Sequence, residues 1–329
     1  MMVRRGLRVL VPIALVVPVA CGGAAGNGAT VNPPTASPSS PSPSAPPPGV
    51  VAEIEVGDAP CASVEAFGSL WVTTFRSGTI ERVDPAANEI VQSIEHEATA
   101  CGIVPAGDEL WVAVVESERI DRIDPDSGEV VGRVALDGNP FDLQAGHGSI
   151  WSANRGSGRV WRMDPRTAEV EAKIEVEGTQ LYGLVVTRDA VWVADELEGS
   201  VIRIDPMTNR VVARIELGGT AYAFAPTQGG IWVTSGEGVL HRIDERTDRV
   251  AERVQAGSQA SDPATLDGLV WVPDADAGVV EVLDGRTGEL VSTLRLGGTH
   301  LVAQAAFGDV WVADFRGTTI VRLDPSMVI

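Results

Sequence analysis

Aromatic side chains are scarce: Phe, Trp and Tyr together make up 5% of the 329 residues, and only two are tyrosine. There are three cysteines and four histidines. That is too few for a disulfide-dense scaffold, and no Cys or His spacing matches a zinc site. Positive charge is short as well. Lys and Arg number 25 against 45 Asp and Glu, a net charge of −20 at neutral pH. So negative a surface repels phosphate backbones and excludes nucleic acid as a partner. There is no Gly-x-Ser-x-Gly elbow, no phosphate-cradling loop and no loop of dense Asp spacing for calcium. Residues 50–329 show no sustained helical period. What the chain does have is apolar bulk, 44% of its residues, enough for a large core in one or two domains.

The first 21 residues read as a targeting segment. Arg4, Arg5 and Arg8 precede an apolar run from Val9 to Ala20, too short to span a bilayer as a stable helix but right for a secretory signal. The run ends in Ala20-Cys21-Gly22-Gly23, which resembles a bacterial lipobox. The resemblance implies acylation of Cys21 and an extracytoplasmic protein held to the membrane by lipid, with residues 1–21 as signal peptide. Ordinary secretion with an incidental Cys is the other reading, and either places the mature chain in a disulfide-permissive compartment. Residues 22–49 are rich in Pro, Ser, Ala and Gly, with eight prolines between Pro33 and Pro48. Such a segment buries too little to fold and favours extended polyproline, reaching on the order of 70–80 Å as a tether.

The remaining sequence repeats itself. Trp71, Trp111, Trp151, Trp192, Trp232, Trp271 and Trp311 succeed one another at intervals of 39 to 41 residues. Asp84, Asp124, Asp164, Asp205, Asp244, Asp284 and Asp324 keep step. Each unit reads as four short Val-, Ile- and Trp-rich strands separated by turn residues. Four strands per unit of about 40 residues, seven times over, predict an all-β fold, a seven-bladed β-propeller over residues 50–329. The last repeat lacks a fourth strand. The segment "VVAEIEVGD" at 50–58 matches the fourth strands of other repeats. Strand 50–56 is therefore expected to pair with strand 319–324 and close the ring, giving a monomeric propeller without an exposed edge.

Several recurring residues read as scaffold. Asp-Pro at the third turn fits positions i and i+1 of a type I turn. Three residues after the Pro place stand Asn88, Gly128, Ala168, Asn209, Asp248 and Gly288, where a bulge needs positive φ; Ala168 is the exception, strained or differently turned. Arg82, Arg122, Arg162, Arg203, Arg242 and Arg322 lie two residues before the Asp, with Val282 as the gap. They are expected to pair with acids on adjacent strands. The recurring Trp reads as packing between blades.

The pattern of Trp-Val-Ala-Asp, then Gly-x-Ile-x-Arg-Ile-Asp-Pro, resembles the YVTN-type propeller repeat. It is also similar to the streptogramin (virginiamycin B) lyases, seven-bladed propellers that open a cyclic peptide lactone with a divalent metal. That resemblance implies a general-base His in the last blade, in a Glu-Pro-His-Gly-like stretch with a metal-binding Glu. Here the stretch is Gly298-Thr299-His300-Leu301, so only His300 carries over. The second His expected one blade earlier has no counterpart in "SQASDP" at 258–263. Magnesium enters as a cofactor only under the lyase reading; otherwise none is expected.

A site is expected where the copies differ. Ten residues before each Trp stand Cys61, Cys101, Phe141, Tyr182, Tyr222, Ser261 and Leu301, at the start of the inner strands. Cys61 and Cys101 occupy neighbouring blades and are expected to form a disulfide, the alternative being two buried thiols. Three residues after the Trp stand Asn154, Asp195, Asp274 and Asp314. With Asp142, Asp262, Tyr182, Tyr222 and His300 they are expected to form an acidic, aromatic-walled mouth for a cationic or hydroxylated ligand or a basic protein segment. The alternative is that the small acids cap turns. These features predict a membrane-anchored scaffold that binds a small molecule or a protein on the channel face.

Overall fold

The computed structural model describes residues 47–96, 99–178 and 180–328. The signal segment, Cys21 and most of the tether lie outside the described residues. Seven antiparallel four-stranded sheets fill the rest. The first blade runs Pro60–Ala66, Ser69–Thr74, Thr79–Asp84 and Glu89–Glu95. Five further blades repeat this order in sequence. The last is assembled from both ends of the propeller: Val302–Ala306, Asp309–Ala313 and Thr319–Leu323, with Val50–Glu55 outermost. Glu53 pairs with Val321 and Ile54 with Ile320, so the expected closure is present.

The repeating residues hold this ring together. The seven recurring tryptophans are all buried to 1% exposure or less and pack between neighbouring blades. Trp151, for instance, packs with Leu184, Val193 and Ile204 of the next blade. The six arginines lie over the Trp of their own blade, their guanidinium carbons 5.0–5.7 Å from the ring centroids. Pairing with acids on adjacent strands holds for four of them. Arg122 meets Glu109 at 2.6 Å, Arg162 meets Glu171 at 2.9 Å, Arg242 meets Glu252 at 2.8 Å and Arg322 meets Asp309 at 2.6 Å. Arg203 reaches instead to Asp248 of the next blade at 2.7 Å, and Arg82 donates to Ser69 Oγ.

The third turn behaves as its residues dictate. Asp84 Oδ1 accepts from the backbone N–H of Ala86 and Ala87, and Asp84 O accepts from Asn88 N–H. Positive φ occurs at Asn88, Gly128, Asn209, Asp248 and Gly288, and at Ala168 too, with φ +60°. Of the two readings open for Ala168, the same turn under strain is the one found.

One hydrogen bond recurs in every blade and fixes the geometry of the site. The residue just after the outer strand donates its N–H to the turn before the third strand: His96 to Gly78, Leu136 to Glu118, Val176 to Gly158, Leu217 to Gly199, Ala256 to Gly238, Leu296 to Gly278 and Val56 to Thr318. The blade-to-blade crossings and the turns between second and third strands therefore share one face. The inner strands begin on that face and line the channel.

Candidate functional site

The start of the inner strand is bulged. In the first four blades the register breaks at the residue ten before the Trp, between Pro60 and Ala62, Ala100 and Ile103, Pro140 and Asp142, and Leu181 and Leu184. A bulge leaves one residue unpaired and reverses the facing of the residues beyond it. In the remaining blades Tyr222, Ser261 and Leu301 precede their strands rather than open them, as does His300. In every blade the channel wall includes the residue nine before the Trp (Ala62, Gly102, Asp142, Gly183, Ala223, Asp262 and Val302), joined in the first four blades by the bulged Cys61, Cys101, Phe141 and Tyr182. All line one cavity of about 180 Å³. Glycine has a reason at Gly102, where a Cβ would come within 2.6 Å of Phe141 O and 2.9 Å of Leu143 N. Close lateral contact of inner strands is built in there.

Two carboxylates therefore stand in the wall beside Gln144, Gln304, Ser63, Tyr182 and small or apolar groups. Asp142 Oδ2 accepts from Leu184 N–H at 2.7 Å, across a blade boundary. Enclosure by the ring pushes its carboxyl up to about 7, against the pull of hydrogen bonds from Leu184, Leu143 and Gln144. Asp262 is also raised to about 7, first by burial and then by the charge of Asp142, with Arg155 pulling the other way. Asp262 Oδ1 is a buried atom with no hydrogen-bond partner among the described residues. Both side chains keep partial exposure to the channel lumen.

The aromatic wall is present but already has a cation on it. Tyr182 lies 4.8 Å from Phe141 and 5.6 Å, edge-on, from Tyr222. Arg155, four residues after Trp151, sits 4.3 Å from the Phe141 ring and 5.0 Å from Tyr182. Its Nη2 donates to Glu196 Oε2 at 2.7 Å, a carboxylate that also accepts from Gln180 Nε2. Burial, with the nearby Asp262 charge, holds the Tyr182 phenol well above its usual range. Neither Arg155 nor Glu196 stood out in the sequence. The place they share, four after the Trp, also holds Phe75 and Phe315, whose rings meet at 6.0 Å. Read as a column across the repeats, it would have shown the signal.

The residues three after the Trp do other work. Asp274 accepts from Ser258 N–H and Oγ–H and from the N–H of Asp276 and Ala277. These bonds outweigh burial and lower its carboxyl. Asp314 accepts from Thr299 Oγ–H and Arg316 N–H, and Asn154 donates to Ser152 O and Arg159 O. Asp195 is wholly buried, accepts a long bond from Glu198 N–H at 3.4 Å and leaves Oδ2 unpartnered. None of the four lines the cavity. Turn capping, the alternative reading, describes Asp274 and Asp314. His300 is buried, its Nδ1 2.9 Å from Gly297 O and its Nε2 unpartnered, and it does not line the cavity either. With no Glu beside it, the stretch does not fit the magnesium site that the lyase resemblance implies, and no group of three or more His, Cys, Asp or Glu among the described residues could hold a metal.

Cys61 and Cys101 form a disulfide, their Cα atoms 5.1 Å apart, joining the bulged residues of the first two blades. Phe75, Phe141 and Phe315 pack against it.

Fold and site together define the class, a seven-bladed β-propeller with two acids in the wall of its channel cavity. A family model described as glutamine cyclotransferase matches residues 68–230. No curated protein matches the chain in sequence. Among solved structures, a streptogramin B lyase is similar with a TM-score of 0.73 at 14% identity, over 83% of this chain and 97% of that one. BamB from Moraxella catarrhalis is similar with a TM-score of 0.59 at 19% identity, over 78% and 79%. Both likenesses are of fold.

Proposed function

We propose that this protein is an extracytoplasmic binding scaffold, held to the membrane through lipid on Cys21 and a Pro-rich tether, that recognises a small molecule or a protein segment at its channel mouth. One observation carries the reading. The repeating residues are consumed in packing, turns and blade contacts, whereas unshared polar groups (Asp142, Asp262 and Tyr182) line one cavity, with Arg155 over the Tyr182 ring. The disulfide and the signal-like start support the location, since such a bond persists in oxidising compartments.

Photo-crosslinking tests the recognition surface. A benzoylphenylalanine at Ser261, on the channel face, should capture a partner or ligand from membranes, and one at His147, in a turn of the opposite face, should not. Capture only through His147 would overturn the reading. Anchoring is tested separately: Cys21→Ala should move the protein from the membrane to the soluble fraction.

The second reading is a lyase acting on a cyclic peptide lactone with magnesium, favoured by the high structural similarity to streptogramin B lyase. Ring opening of a streptogramin by the purified protein with magnesium, abolished in His300→Ala, would establish it.

A further inference from the structure

Within that reading, the wall chemistry narrows the ligand. The ring of residues nine before each Trp is Ala, Gly, Asp, Gly, Ala, Asp, Val, so its two acids stand in the third and sixth blades, on opposite sides of the channel. Gln144 and Gln304 line the same cavity, and the rest of its wall is largely apolar, including Ile103, Leu184 and Pro263. Asp262 Oδ1 is buried there without a partner. Leaving such an acceptor unpaired is unfavourable, and a ligand donor would satisfy it. The cation that acts on the Asp262 charge is Arg155, and that guanidinium is committed to Glu196 and to the faces of Phe141 and Tyr182.

The donors and the space select the kind of cation. Two carboxylates and two amides fall short of the six to eight oxygens that a calcium ion takes, and magnesium would keep most of its waters. The cavity is also large for a bare ion. A primary ammonium with a short aliphatic stem fits better: three N–H donors answer the carboxylates, and the stem lies on the apolar wall. The aromatic faces, occupied by Arg155, are not the recognition element.

We infer that the channel mouth binds a primary aliphatic ammonium group, free or on a lysine side chain, between Asp142 and Asp262. The inference rests on the binding-scaffold reading and on this same cavity.

Calorimetric titration of the full-length protein with n-butylamine tests it, with n-butanol as the uncharged isostere and magnesium chloride as the competing cation. Butylammonium should bind at about pH 8 and butanol should not. Asp262→Asn should weaken binding by about tenfold or more, because one of two buried charges is removed. Protonation of both acids at about pH 5 should weaken it similarly. Asp262 Oδ1 holds nothing in place, so Asp262→Asn should fold, checked by an unchanged far-ultraviolet spectrum. Asp142→Asn, whose amide oxygen still accepts from Leu184, is the second variant. Equal binding of butanol, magnesium displacing the amine, or unchanged affinity in both variants would each overturn the inference. Loss of amine binding with crosslinking at Ser261 intact would leave the scaffold reading standing.

Discussion

At the scale of single residues, the two channel acids cost the fold stability. An ordinary aspartate titrates near 4. Raised to about 7, Asp142 and Asp262 favour their neutral forms in the folded state. The folded protein carries no penalty below about pH 4, accumulates it between about 4 and 7 and bears it in full above. The turn aspartates act the opposite way. Hydrogen bonds from Ser127, Arg166, Met207, Arg246 and Thr287 hold Asp124, Asp164, Asp205, Asp244 and Asp284 low. Their stabilisation is present above about pH 4 and is lost as pH falls through their folded values. Stability should therefore peak between about pH 4 and 6. Asp262→Asn should raise the stability at pH 8 by about 2 kcal/mol and leave it unchanged at pH 4, read by urea denaturation at both values. A variant no more stable at pH 8 than the parent would mean that the two carboxylates are already compensated.

At the scale of elements, most of the blade was legible. Trp, Arg and Asp-Pro recur because each answers one local demand: packing between blades, capping the Trp face, or making a turn. The Ala168 exception was legible as well, and its conformation gives a clean test. An L-residue in the left-handed region costs about 1 kcal/mol that Gly avoids. Ala168→Gly should therefore stabilise by about 0.5–1 kcal/mol, whereas the same change at a strand position such as Ala172 should destabilise. The site was half legible, for a specific reason. Strand alternation places residues ten and nine before the Trp on opposite faces, and a bulge at the strand start brings both to the channel in the first four blades. Nothing local in Pro-Cys-Ala or Pro-Phe-Asp announces that bulge. Asp142 and Asp262 were found because they are acids beside the conspicuous column. Arg155 and Glu196 were missed because their meaning lies in each other, across a blade boundary.

Arg322 shows how an element becomes a joint. Its guanidinium stacks on Trp311, pairs with Asp309 and donates across the closure to Pro85 O and to Asn88 Oδ1 at 2.7 Å. Arg162 makes the same reach, to Pro206 O and Asn209 Oδ1. The planar, multi-donor guanidinium can serve ring, acid and turn at once, which an ammonium cannot. Arg322→Lys should lose about 1–2 kcal/mol and Arg322→Ala about 2–3 kcal/mol, measured by denaturant midpoints. Equal stability of the Lys variant and the parent would show that charge alone matters there.

At the scale of the whole molecule, the ring has one joint that differs from the others. The first six blades are each continuous in sequence, and a disulfide ties the first to the second. The seventh depends on Val50–Glu55, which pairs with a strand at the far end of the chain. Its contribution is apolar as well as backbone: Ile54 is buried with Leu70, Val72, Trp311 and Ile320, so it seals the seam between the last blade and the first. Glu53 and Glu55 stand on the same strand, and charged residues on an outer edge discourage pairing with other copies. Ile54→Ala should cost about 2–4 kcal/mol. Removing residues 46–55 does more, because it strips that seal and leaves Thr319–Leu323 as an open edge that can pair with another copy. The truncated protein should elute from size-exclusion chromatography as oligomers. A synthetic peptide spanning residues 50–58, supplied in trans, should restore the monomer, since it carries both the missing hydrogen bonds and Ile54. A peptide with Ile54 replaced by Asp offers the same backbone without the seal and should fail. If the truncated protein stays monomeric and equally stable, closure by the N-terminal strand is not what keeps this propeller single.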